Sequence, residues 1–128
     1  FLRRDGLLRS ERFFERLARH QGAEVRDCYD DQYISNAGQL VLLALGTYRM
    51  IADLRAELAR RRGGTTLTSK PYDVSGALVC AAEAGAIVTA WDGRELDFPI
   101  EVVTPGSFVG WVNAATRARL APHLAAVL

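Results

Sequence analysis

Asp73 sits in the stretch KPYDVSGALVCAAEAG, residues 70–85, where residue types and spacing carry the most chemistry. Pro71 presets the backbone for the first turn of a helix, so Asp73 falls where the helix dipole favours negative charge. Two chemistries fit a carboxylate there. It can satisfy free backbone N–H groups of the helix start, or it can act as an oxygen ligand for a divalent cation at the mouth of a cleft.

Other candidates are spread along the chain. Asp27, Asp30 and Asp31 cluster carboxylates but lack the alternation and glycine of a calcium loop, and read as a solvated turn. Ser35 and Asn36 open an apolar helix whose free N–H groups can hold a ligand hydroxyl or a phosphate oxygen. Asp53 ends a strand, where the plain reading is a solvent-facing carboxylate. Arg60, Arg61 and Arg62 adjoin Gly63 and Gly64; Arg60 and Arg62 are candidates for gripping a second phosphate or another acidic group, against the plain reading of a solvated basic loop. His20 and His123 have no matching serine, cysteine or metal partner and read as structural or exposed. Cys28 and Cys80 match no metal-binding spacing and read as reduced, semi-buried thiols of a cytoplasmic protein. No residue is assigned a catalytic role.

The elements that position these groups follow from periodicity and punctuation. Ser10 caps a helix over 11–21 with Phe13, Phe14 and Leu17 on one face and Glu15 paired to Arg19 on the other; a short strand follows over 23–31. The run QLVLLAL, 39–45, predicts a helix apolar nearly all round and therefore buried, closed by Gly46 and followed by a strand over 47–53. Residues 54–68 read as a short basic helix and a glycine loop. The helix of 70–85 carries Val74, Ala77, Leu78 and Ala81 on one side and ends at Gly85. A strand over 86–90, an Asp-Gly turn at 91–94 and a strand over 107–112 come next. Between them, Pro99 places 96–103 at a sheet edge or outside the sheet. Asn113 caps a helix over 114–120, and Pro122 kinks it or starts a final turn.

Alternation of this kind predicts a layered α/β fold, a sheet with helices packed on it. A chain of 128 residues fits a single domain that buries roughly two thirds of its unfolded surface. Composition is ordinary for a globular protein, at 49% hydrophobic and 24% charged. With 16 basic against 15 acidic residues, the net charge of +1 supplies no global field to recruit nucleic acid or a membrane surface. No apolar run reaches the ~20 residues of a membrane span.

The run PYDVSGALVCAAEAGAIVT resembles the C-terminal signature of the inositol monophosphatase family, a WDxxAG motif, a helix of small residues, an EAGG-like turn and a strand. Tyr72 stands where the family has Trp, Asp73 at the metal-binding Asp, Ser75 and Gly76 at the small pair, and Glu83-Ala84-Gly85 at the turn; Ala86 replaces the usual second glycine. The resemblance covers most of 28–128. It implies that Asp73 binds Mg²⁺, that Asp53 hydrogen-bonds substrate hydroxyls, and that Ser35 and Asn36 lie beside the substrate. Residues 54–69 are an atypical basic and glycine-rich insertion by this comparison, which puts a simple inositol phosphate in doubt and admits a sugar phosphate, a bisphosphorylated sugar or a nucleotide. The family's DPxDGT-like motif does not occur here. The resemblance therefore implies the C-terminal half of a Mg²⁺-dependent phosphomonoesterase, inactive alone and completed by an N-terminal half of the same enzyme. The rival expectation is a stand-alone, non-catalytic remnant of the fold, acting as an interaction module whose uncovered apolar face is masked by self-association as a homodimer.

Overall fold

The computed structural model describes residues 15–16, 18–19, 33–66, 70–97, 99 and 101–128. The strand expected over 23–31, the Asp27, Asp30 and Asp31 turn, Cys28 and His20 lie outside the described residues. The chain divides into two compact units, Tyr33–Arg117 and Phe1–Gln32 with Ala118–Leu128.

The unit Tyr33–Arg117 begins with helix α1, Asn36–Ala44, capped by Ser35, whose Oγ accepts from Gly38 N at 3.1 Å. Strand β1 is Met50–Asp53, helix α2 Arg55–Arg61, helix α3 Pro71–Glu83, strand β2 Ile87–Ala90 and strand β3 Phe108–Trp111. Strand β1 is shorter than the 47–53 expected, because Gly46 N and Thr47 N fold back to Leu43 O and Leu42 O to close α1. Pro71 occupies the first turn of α3 after an extended Lys70. The helix ends as predicted: Gly85 takes φ 87°, and Ala86 N and Gly85 N donate to Ala81 O and Ala82 O, the paired bonds of a left-handed glycine cap.

The three strands form one sheet in the order β1-β3-β2, both pairs antiparallel. Asp53 lies opposite Phe108, and Ala90 opposite the same residue on the other side. The fold is thus α/β in composition, with a small antiparallel sheet. Residues 96–97, 99 and 101–107 form no strand, as Pro99 leads one to expect; only Glu95 bridges back to Thr89. The turn before it is closed by Gly93 at φ 86° and by Arg94, which donates to Asp92.

The core joins α1, α3 and the sheet. Leu40 and Leu43 of α1, Val74 and Ala81 of α3, Ile51 of β1 and Phe108 of β3 are all buried, with Ala77 and Leu78 packed against them. The face of α3 is the one its spacing predicts. Strand β3 is buried along its whole length, so its side chains are apolar on both faces. Gly110 is required where α1 crosses it, since a Cβ there would stand 2.7 Å from Leu43 Cδ2 and 2.9 Å from Ile51 Cγ1.

Helix α1 is not buried all round. Val41 is 46% exposed and Leu45 73% exposed, because α3 and the sheet cover one side of α1 and these two residues, four apart, share another.

Helix α4, Ala114–Val127, starts in the same unit and runs on into the second. Asn113 Oδ1 caps it, accepting from Thr116 N at 2.8 Å. Pro122 is carried inside the helix, so the helix continues well past the 114–120 expected. In the second unit Ala18, Leu120 and Leu124 are buried, Arg16 Nη2 donates to Ala126 O at 3.3 Å, and Glu15 pairs with Arg19 at 3.6 Å as the spacing predicts.

Gly110→Val should lower stability by about 1–3 kcal/mol through overpacking against Leu43 and Ile51. The exposed helical Gly76, whose added Cβ meets nothing within 4 Å, is the opposite case: Gly76→Ala should gain about 0.5–1 kcal/mol. Urea unfolding of both variants checks the pair, and a neutral Gly110→Val would contradict the close approach.

Candidate functional site

Chain reversal after β1 builds the site. Asp53, the last residue of β1, is buried to 5% exposure beside Phe108 of the central strand. A carboxylate removed from water needs donors for both oxygens, and the start of two helices provides them. Asn36, in the first turn of α1 and 17 residues away, donates its Nδ2 to Oδ2 at 2.7 Å. Arg55, the first residue of α2, donates its backbone N and Nε to Oδ1 at 3.1 and 2.9 Å, and its Nη2 to Oδ2 at 2.6 Å. Nη2 also reaches Asn36 Oδ1 at 3.3 Å. Asp53 is therefore gripped in a fork by Arg55 and braced by Asn36, and the cluster ties β1, α1 and α2 together.

The exposures within this cluster differ sharply. The Asp53 side chain is 4% exposed and that of Arg55 is 51% exposed. What the cluster shows to solvent is guanidinium.

A second charged cluster lies one turn along α2. Glu57 is buried to 7% exposure; its Oε2 accepts from Arg60 Nε at 2.8 Å, and its Oε1 from Arg60 Nη2 and Arg61 Nε, each at 2.8 Å. Its backbone N donates to Ser107 Oγ at 2.9 Å, across 50 residues, which fixes α2 to the segment entering β3. Hydrogen bonding from Arg60, then Arg61, holds the Glu57 carboxyl at about 2, below its ordinary 4.5, against the upward pull of burial. Arg60 is in turn pushed up by Glu57. Arg61 also stacks over the Trp91 ring, 4.7 Å from its centroid. The arginine run is thus partly internal structure: Arg60 serves Glu57, Arg61 bridges Glu57 and Trp91, and Arg62 is exposed.

Asp73 stands apart on α3. It is exposed, and its carboxylate meets no hydrogen-bond or ion-pair partner among the described residues. The helix-start capping expected of it is not made; its backbone N donates to Lys70 O. Lys70 is buried to 8% exposure, and its Nζ donates to Val103 O. Tyr72, at the position where the resembled motif has Trp, is 53% exposed. No group of three or more His, Cys, Asp or Glu able to hold a metal occurs among the described residues.

Structure thus joins two of the residues singled out from sequence, Asn36 and Asp53, and uses a third, Ser35, as the cap of α1. It separates Arg60 and Arg62 from one another by function, and leaves Asp73 open. Two participants escaped the sequence reading. Arg55 lies only two residues from Asp53, and the D-x-R spacing after a strand was the signal available. Glu57 could have been found from its position three and four residues before Arg60 and Arg61 on one helix. Cys80 is exposed rather than semi-buried, since it lies on the face of α3 away from Val74 and Ala81. His123 is half-buried on α4. No helix among the described residues is long and apolar enough to cross a membrane. No family model, curated protein or solved structure matches this chain.

Because its carboxyl is held low in the fold, Glu57 contributes stability that is fully present above its ordinary value of 4.5 and is lost as pH falls through about 2. Urea midpoints followed downward through that window should fall for the native chain and fall less for Glu57→Gln; equal slopes would contradict the assignment. Arg55→Ala should cost about 1–3 kcal/mol, because it leaves buried acceptor atoms of Asp53 short of donors, and the same unfolding measurement reads it.

Proposed function

We propose that this chain supplies the substrate-side wall and one metal ligand of a Mg²⁺-dependent phosphomonoesterase similar to the inositol monophosphatases, acting on an inositol or sugar phosphate. Asp73 carries the reading. An exposed carboxylate in the first turn of a 13-residue helix, meeting no donor among the described residues, keeps its oxygen lone pairs available to a cation. Mg²⁺ commonly takes only one or two carboxylates, with water and substrate phosphate completing its shell. Asp73 fits as one ligand of such a set, and the remaining protein ligands would come from an N-terminal half of the enzyme. The ion, when bound, supplies Lewis-acid polarisation and a more acidic water.

What this chain's own residues do is hold the wall in place. Asn36, Asp53 and Arg55 form one hydrogen-bonded polar cluster at the junction of α1, β1 and α2, which can orient a polar substrate, and Asp73, apart from it on α3, contributes the metal ligand. Rigid placement of this kind is how a binding surface raises rate. The layered α/β fold of the resembled family agrees with helices packed on a small sheet.

A second reading is favoured by a separate observation. Val41 and Leu45 on α1 and Val79 on α3, the last 63% exposed, leave apolar surface on both helices of the core. In the enzyme reading the N-terminal half covers it; in the alternative, the chain is a non-catalytic interaction module and a second copy does.

Mg²⁺-dependent phosphate release by the protein as expressed from its native gene, with inositol and sugar phosphates, separates them. Asp73→Asn should reduce turnover about 100-fold or more, since even outer-shell partners of a metal cost 10–100-fold. It should leave the melting temperature unchanged, because the side chain is exposed and meets no partner among the described residues. Absence of Mg²⁺-dependent release from every ester tested, or an Asp73→Asn variant with full activity, would overturn the enzyme reading.

A further inference from the structure

We propose that Lys70 is the positioning residue of Asp73: by donating to Val103 O it ties the segment 101–107 to the start of α3, and so fixes the carboxylate that meets Mg²⁺. This deepens the phosphomonoesterase reading, and its metal-binding part rests on that reading.

Three observations carry it. The first is how each helix start is held. Helices α1 and α4 are closed by the side chain of their own cap residue, Ser35 and Asn113. Helix α3 has no such bond, because its cap residue is Lys70 and an ammonium offers no acceptor to free N–H groups. The Lys70 carbonyl instead accepts from Asp73 N at 3.0 Å, so the place of Lys70 decides the place of Asp73.

The second is the burial of Lys70, which is 8% exposed. Its ammonium pairs with no carboxylate among the described residues and donates to Val103 O, 33 residues away. A cation removed from water is costly without such a bond, and a charge-assisted bond is roughly twice as strong as a neutral one. Packing does not hold the segment at this point, since Val102 and Val103 are 68% and 71% exposed. The hydrogen bond does.

The third is the far end of the same segment. Ser107 Oγ accepts from Glu57 N, the third residue of α2, at 2.9 Å, and Glu101 Oε1 accepts from Thr104 N at 3.0 Å to close the turn between. One segment therefore holds the starts of α2 and α3 together. Through it Asp73 keeps a set place relative to Arg55 and Asp53, the metal ligand relative to the wall.

The test combines amide hydrogen exchange with Mg²⁺ titration of the protein as expressed from its native gene. Lys70→Met keeps most of the side chain's length and removes the donor. Exchange of the amides of residues 72–75 should then rise about 10-fold or more, while that of β3 is little changed. Ser107→Ala should loosen the start of α2 and leave residues 72–75 unmoved. The Mg²⁺ concentration at half-maximal phosphate release should rise about 10-fold in Lys70→Met, with kcat at saturating Mg²⁺ little changed. Lys70→Arg should recover part of that loss, and Lys70→Met should add nothing to the Mg²⁺ requirement of Asp73→Asn. The melting-temperature rise on adding Mg²⁺ alone, which needs no substrate, should move to the same higher concentration. Lys70→Gln, polar but too short to reach Val103 O, repeats these measurements if Lys70→Met does not fold. Uniformly faster exchange across the unit, or unchanged exchange at residues 72–75, overturns the tie. Faster exchange there with a native Mg²⁺ requirement overturns the positioning of Asp73. If no ester is hydrolysed and Mg²⁺ gives no melting shift, the enzyme reading fails, while exchange still decides whether Lys70 fixes Asp73.

Discussion

Burial of strand β3 on both faces is the constraint on which the Tyr33–Arg117 unit depends. All four of its residues are buried, and both flanking strands pair to it. With side chains of 1–3% exposure at Phe108, Val109 and Trp111, its burial dominates the hydrophobic contribution of the sheet, since a fully buried large apolar side chain is worth about 1.5–3 kcal/mol. The same burial dictates Gly110, because α1 can seat Leu43 on the sheet only where the strand offers no side chain. It also leaves the indole Nε1 of Trp111 buried without a hydrogen-bond partner among the described residues, a cost of about 1–3 kcal/mol that the apolar contacts of the strand must exceed.

Charge is arranged around that core by the same logic of solvent exclusion. The two carboxylates of this unit that are nearly removed from water, Asp53 and Glu57, flank the strand–helix junction after β1, Asp53 held by Arg55 and Glu57 by Arg60 and Arg61 of α2. A buried carboxylate left alone is destabilising, and one held by a fork and a second donor can be neutral or better. Carboxylates satisfied in this way are parts of the frame, whereas Asp73 is exposed on α3.

Local rules made much of the architecture legible. The Pro71 start, the Val74-Ala77-Leu78-Ala81 face and the Gly85 end of α3 each rest on a backbone or periodicity constraint acting within a few residues, and each is found where the spacing places it. The same holds for Ser35 and Asn113 as caps and for the turn at Gly93. What was not legible depended on distant partners. Val41 and Leu45 have the composition of a buried helix, but burial is set by how many neighbours surround α1. Pro122 was expected to interrupt α4, yet one missing N–H does not end a helix whose Leu120 and Leu124 are buried. For the site, residue types identified Asn36 and Asp53, while Arg55 and Glu57 went unnoticed because a charged side chain on a short helix is ordinarily solvated.

The amino-acid sequence by itself determined which residues can form helices and strands, where the capped starts of α1, α3 and α4 and the glycine end of α3 fall, and which carboxylates and arginines are present to do chemistry, because backbone sterics, capping and periodicity act over one or two turns. Tertiary structure alone decided which of those charges became frame and which stayed open. Asn36 meets Asp53 across 17 residues, and Glu57 meets Ser107 across 50, and such contacts exist only once the sheet has brought the elements together. Whether a carboxylate is an acceptor for ligands or an anchor for an arginine depends on its burial and on the donors that surround it. Neither quantity is a property of the residue type.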